Sequence, residues 1–255
     1  MESYFDEMMN SFKEELKHLN KKFSPQKTYK ILKNNENGKL IKYPLYDESF
    51  ICKSGNNYFE IKYNKKILIK EHFDESRYNL EELKDLFYYF ARHEFGHSQL
   101  RKINHILNEI EFPNRSIKRH CYTLLGTFKE FYADYFVNKY FDEVPQKYIQ
   151  NWVKCLSVDR ELFKSLEFID DITKYLWCNL YIAERFFIFN KWDLLRDFYQ
   201  SNNLDLLYEL LFKIFEKFRE ICSDPIDLIL LRKELFKLAK ELDDIDYKKL
   251  LKIVT

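Results

Sequence analysis

The sequence predicts a predominantly helical α+β fold: a small antiparallel sheet, then a pair of helices, then an all-α C-terminal region. Three observations lead there. The 255 residues include only four glycines and five prolines. Rossmann domains, P-loop NTPases and multi-turn β-sandwiches need glycines at set places, whereas helices need fewest. Apolar residues recur at helical spacing over most of the chain. Between Lys22 and Lys70 that spacing gives way to strand-like segments separated by turn signals.

Residues 2 to about 20 read as an amphipathic helix with Phe5, Met8, Met9, Phe12 and Leu16 on one side. Turns are expected at Asn34–Gly38 and at Ser54–Asn57. Tyr58–Tyr63 and Ile67–Lys70 flank Asn64-Lys65-Lys66, which suggests a hairpin within a sheet of three or four strands. Asn79-Leu80-Glu81-Glu82 has the form of a capping box and opens a long helix, read as running past Ile103 and Leu107 to about Ile110. Phe112-Pro113-Asn114 breaks the pattern, and a second helix from about Ser116 to Tyr140 follows. From Pro145 the chain reads as helical to its end, with breaks near Ser201–Asn203 and Ser223–Pro225. The expected organisation is a catalytic domain over 1–144 and a helical subdomain over 145–255. Aromatic stripes in the latter, including Tyr175, Trp177, Phe186, Phe187 and Trp192, read as core.

Composition narrows the function classes. With 46% apolar residues, 33% charged residues and a formal charge of +1, the chain is neither disordered nor built to grip nucleic acid over its surface. Lys21–Lys42 is locally basic, seven lysines against Glu36, but shows no aromatic-interleaved or helix-turn-helix pattern, so a solvated face is expected and no nucleic-acid partner. No membrane-spanning run occurs. The densest apolar stretch, Tyr175–Phe189, is interrupted by Asn179, Glu184 and Arg185. Neither a secretory signal nor a CxxC pair is seen, and the five cysteines read as reduced thiols in a cytoplasmic protein.

The informative segment is His93-Glu94-Phe95-Gly96-His97, an HExxH pattern on a helix expected independently from its cap and periodicity. Residues i and i+4 share a helix face, so both imidazoles can offer a nitrogen to one Zn²⁺. Glu94 sits where a general base belongs, able to reach a metal-activated water without ligating the metal. By chance, a chain of this length and histidine content shows HExxH about once in a hundred times.

A catalytic zinc needs a third protein ligand. The extended metzincin pattern is absent, because Leu100 and Ile103 stand where it requires Gly and His. Downstream, Glu130 and Asp134 are again i and i+4. The breaker at Pro113-Asn114 lies midway between His97 and Glu130, and midway between His93 and Asp134. Two antiparallel helices, each travelling about 21 Å at 1.5 Å per residue, bring a carboxylate level with each histidine. Glu130 is then the expected third metal ligand, and Asp134 an acceptor for the far nitrogen of a ligand histidine.

At HEFGH (93–97) and EFYAD (130–134) the chain resembles the gluzincin class of zinc metallopeptidases. The ExxAD form is similar to that of prenyl-protein and heat-shock membrane proteases, whose membrane helices are absent here. The short gap between motifs is more like soluble mini-gluzincins and ImmA/IrrE-type metallopeptidases. The resemblance spans about residues 58–140. It implies a zinc metalloendopeptidase acting on a peptide or protein substrate, with an edge strand above the metal to pair with extended peptide. It also implies a further donor for the oxyanion, for which His120, Tyr122 and Tyr132 are candidates. The alternative is a regulatory or interaction protein that keeps a zinc-binding gluzincin fold without turnover.

Overall fold

In the computed structural model of the chain, the residues described are 2–33, 50–55, 57–73, 78–100, 103–108, 110–141, 145–150, 172–201, 205–222 and 226–245. The architecture is predominantly helical α+β, with a small mixed sheet. The chain divides into two compact units, Met1–Arg101 with Phe136–Trp152, and Lys102–Tyr135 with Val153–Thr255.

The first unit begins with α1 (Glu2–Phe23), whose Phe5, Met8, Phe12 and Leu16 are buried as the apolar spacing requires. Three strands follow: β1 (Thr28–Lys33), β2 (Phe50–Ser54) and β3 (Tyr58–Tyr63), in the order β1-β3-β2. The turn at Ser54–Asn57 joins β2 to β3 antiparallel, with the Gly55 amide donating to the Tyr58 carbonyl at 2.8 Å. A Cβ at Gly55 would come within 2.5 Å of the exposed Tyr58 ring, so a side chain there would require that ring to swing aside. β1 pairs with β3 parallel, which makes the sheet mixed where the sequence suggests an antiparallel one. β2 precedes β3 in the chain but takes its far side, leaving β1 to run alongside β3 in the same direction. The expected turn at Asn34–Gly38 lies outside the described residues.

The expected strand at Ile67–Lys70 is instead part of a helix, α2 (Lys65–His72). Asn64 caps it, its side-chain oxygen accepting from the amides of Lys66 and Ile67 at 3.1 and 3.2 Å. This cap overrides the β-preference of the Ile-Leu-Ile run and turns Ile67 and Leu68 into the core. No hairpin forms there, and the edge strand that the resemblance places just before the motif helix is not built by these residues.

The helix α3 (Leu80–Gln99) starts at Asn79 with the full capping box: the Glu82 amide donates to Asn79 and the Asn79 amide to the Glu82 carboxylate. It ends at Gln99 rather than near Ile110, and Ile103–His105 forms a separate 3₁₀ turn. Side chains explain the stop. The Ser98 carbonyl accepts from Lys27 Nζ at 2.6 Å and from Ser54 Oγ at 2.9 Å, partners that replace the amide of a further helical turn. An ion pair of Arg92 with Glu15 at 2.7 Å ties α3 to α1, and Phe59 of the sheet meets Phe95 edge-on at 5.8 Å. Phe5, Phe73, Phe87 and Phe90 complete this aromatic core.

A continuous helix, α4 (Arg115–Tyr140), opens on Asn114, whose side chain accepts from the Ile117 amide at 2.8 Å. Its C-terminal turn belongs to the first unit, where Phe136 packs on Phe95 and Phe23.

In the second unit α4 is joined by α5 (Ile172–Ile188), α6 (Trp192–Ser201), α7 (Asp205–Ile221) and α8 (Leu228–Asp243). The core is aromatic: Phe128 and Phe131 of α4 meet Phe218 and Phe215 of α7, and Phe187 packs on Trp192. Phe186 and Trp192 are thus core, as their spacing implies, and Phe187 packs half-buried against it; the side chains of Tyr175 and Trp177 lie outside the described set. The α5–α6 break is made by Asn190 at φ 57°, a left-handed cap that asparagine tolerates. The described cysteines Cys52, Cys121 and Cys222 are reduced thiols, and burial pushes the Cys121 thiol up to about 12. No helix among the described residues is long and apolar enough to cross a membrane.

Candidate metal centre

The last turns of α3 carry His93, Glu94 and His97. His93 and Glu94 are buried and His97 is half-buried, with the ring of Tyr89 6.1 Å from that of His93. The two imidazoles stand nearly perpendicular, with their Nε2 atoms 3.1 Å apart. Both nitrogens therefore converge on one point, the consequence of i and i+4 placement on a helix.

Glu130, half-buried on α4, completes the group. One ligand atom from each of His93, His97 and Glu130 lies within 4.8 Å of the other two. Two nitrogens bound at about 2.0–2.1 Å to a tetrahedral ion stand roughly 3.3 Å apart. The observed separation suits that arrangement, and two imidazoles with a carboxylate form a donor set suited to borderline transition metals. Glu130 joins the histidines although the long helical hairpin expected from the turn at Pro113-Asn114 is not the connection: α3 stops at Gln99.

Asp134 is fully buried, which excludes a solvated acidic face. It lies 3.7 Å from Arg185 Nε of α5. The Arg185 guanidinium also covers the Tyr181 ring at 4.5 Å and hydrogen-bonds the Tyr181 side chain. Burial pushes the Tyr181 hydroxyl above its ordinary range; Arg185 opposes this, and the carboxylates of Glu130 and Glu184 reinforce it. Burial likewise holds Lys129 below the usual lysine range, against the pull of neighbouring Glu130.

Of the proposed oxyanion donors, His120 is buried 4.0 Å from Asp243 and within 3.4 Å of Ser116 Oγ. Tyr122 is exposed, with its ring 6.4 Å from that of Phe112, and Tyr132 is half-buried. Tyr181 and Arg185 escape a motif search because they belong to no spacing pattern. The available signal was their setting: Asn179, Glu184 and Arg185 interrupt the most apolar run of the chain, and all three are buried. Asn179 there accepts from the Tyr199 hydroxyl at 2.7 Å.

Comparison with protein-family models, with curated proteins and with solved structures yields no match to this chain.

Proposed function

We propose that this chain is a cytoplasmic zinc-dependent metalloendopeptidase of the gluzincin type. The observation that carries the reading is the convergence of His93, His97 and Glu130 on one point, with Glu94 next to the first ligand on the same helix. Helical spacing alone accounts for the two histidines; nothing in helix geometry requires a carboxylate from α4 to join them.

Zinc bound by these three residues would supply Lewis acidity, polarising a scissile carbonyl and lowering the pKa of a water. The chain's own residues do the rest. Glu94, an acceptor when ionised, takes the proton of the attacking water and returns it to the departing amine as the peptide bond breaks.

The test is metal content together with cleavage of a denatured, unstructured protein. The expected result is about one zinc per chain and turnover by wild type. Full zinc occupancy without turnover on a range of unfolded substrates would favour a regulatory protein; the absence of any metal affinity would sink both readings.

A further inference from the structure

We propose that Lys27 is a positioning residue for His97: with Ser54 and Ser24 it clamps the last turn of α3, and so holds the second imidazole in line with the first. This deepens the metal-centre reading above and rests on it. His97 lies in the final turn of α3, which ends at Gln99. Carbonyls in the last turn of a helix have no intrahelical partners, and helices fray there. The convergence of the His93 and His97 Nε2 atoms, 3.1 Å apart, needs both residues on one wound helix. Fraying of the last turn would carry His97 away from His93.

Three earlier segments grip that turn. Lys27 Nζ donates to the Ser98 carbonyl at 2.6 Å, and Ser54 Oγ, at the end of β2, donates to the same oxygen at 2.9 Å. Ser24 Oγ donates to Gln99 Oε1 at 3.3 Å, Gln99 Nε2 to Ser98 Oγ at 2.9 Å, and Ser98 Oγ to the Phe95 carbonyl at 2.6 Å. Lys27 is itself held: its amide donates to the Ser24 carbonyl at 2.9 Å, and its carbonyl accepts from Asn20 Nδ2 at 3.0 Å. Lys27, Ser24 and Ser98 are all buried. A lysine is seldom buried, because its head group is costly to remove from water. Many helices end instead on a left-handed glycine or asparagine. Here Leu100 follows at φ −76°, and a buried lysine binds the carbonyl of the residue next to His97.

A role in the fold alone and a role in positioning predict different outcomes. If the clamp only stabilises, Lys27→Met lowers Tm and the folded protein keeps its zinc affinity; by charge alone, losing a cation makes a divalent ion bind more tightly. If the clamp positions His97, affinity falls by about tenfold, the lower end for contacts that orient a ligand. The experiment is zinc affinity by competition with a chromophoric chelator, on the full chain and well below Tm. It is paired with the visible absorption of the cobalt(II)-loaded protein, which reports ligand geometry. Lys27→Met is expected to bind zinc about tenfold more weakly and to show altered cobalt bands. Ser54→Ala, which removes one of the two donors, is expected to weaken binding about threefold. Asn79→Ala loosens the opposite end of the same helix and is expected to match wild type in both measurements. Affinity in Lys27→Met within about twofold of wild type, tighter binding or unchanged cobalt bands overturns the proposal. Equal weakening in Asn79→Ala also overturns it, since the effect would then trace to lost stability. Ser54→Ala removes a single oxygen and carries the test alone should Lys27→Met fail to fold; wild-type affinity and spectrum there are equally fatal. His97→Ala separates the two readings: zinc lost there but retained in Lys27→Met sinks the clamp only, whereas a wild type without zinc affinity sinks the metal centre itself.

Discussion

Glu94 and His97 stand three positions apart on one helix, yet their removal should have different consequences. Glu94→Gln takes away a proton acceptor while leaving the imidazoles in place, so zinc content should match wild type. Turnover of an unfolded substrate should fall by at least about 10²-fold, the lower end of what a general base contributes. His97→Ala removes a ligand and should lose zinc under dialysis conditions that leave wild type loaded; elemental analysis decides it. Full occupancy in His97→Ala would show that the two converging nitrogens serve only each other. Asp134 illustrates what one residue's pattern can and cannot reveal. Its i+4 spacing from Glu130 marks it as sharing that face, but spacing carries no information about burial. The side chain is fully buried and paired with Arg185 of a helix far along the chain. Asp134→Ala leaves that guanidinium buried without its partner, and should cost about 3–5 kcal/mol in a denaturant titration. A loss under about 0.5 kcal/mol would mean that the ion pair is not formed in solution.

Local rules work at the scale of elements where the signal is itself local. The Asn79 capping box and the apolar face of α1 are contained in short stretches, and both read correctly. Asn79→Ala should lower stability by about 1 kcal/mol, visible as a lower Tm without change in zinc affinity. The elements that differ from expectation were decided by distant groups or by a cap. α2 is a helix because Asn64 binds two amides of its first turn, although Ile67-Leu68-Ile69 has the composition of a strand. α3 stops at Gln99 because Lys27 and Ser54, far earlier in the chain, occupy the Ser98 carbonyl. α4 carries a pH-sensitive residue of its own. Burial depresses the pKa of His120, outweighing the opposite pull of Asp243; Arg119 adds to the depression. A histidine that resists protonation when folded binds protons more readily when unfolded. Its contribution is therefore complete above the unfolded value of about 6.5 and is lost as pH falls below it. His120→Gln should flatten the fall in Tm between about pH 6.5 and 5; an unchanged slope would assign that fall to other groups.

For the molecule as a whole, the fold class was legible because scarcity of glycine and helical periodicity are properties of the entire sequence. The grouping of His93, His97 and Glu130 was legible because two of its members lie four positions apart and the third sits in a matching i, i+4 pair. The α5 partner of Asp134 was not, since nothing short of the tertiary fold brings Arg185 to α4. That separation has a thermodynamic consequence. His97 and Glu130 are distant in sequence, so an unfolded chain offers no preassembled site and, on the proposed reading, would bind zinc far less well than the folded one. Zinc should therefore raise the stability of the folded protein by mass action, by about 2.7 kcal/mol at a free concentration 100 times Kd. The expected observation is a Tm that rises with zinc concentration and falls back when EDTA is added. Glu130→Ala should shrink that zinc-dependent rise, read as the difference between the zinc-loaded and metal-free Tm of the same variant. An undiminished response in Glu130→Ala would place the bound zinc on the two histidines without the α4 carboxylate. The convergence of the three groups would then be an accident of packing, and the argument for hydrolytic chemistry would lose the observation on which it stands.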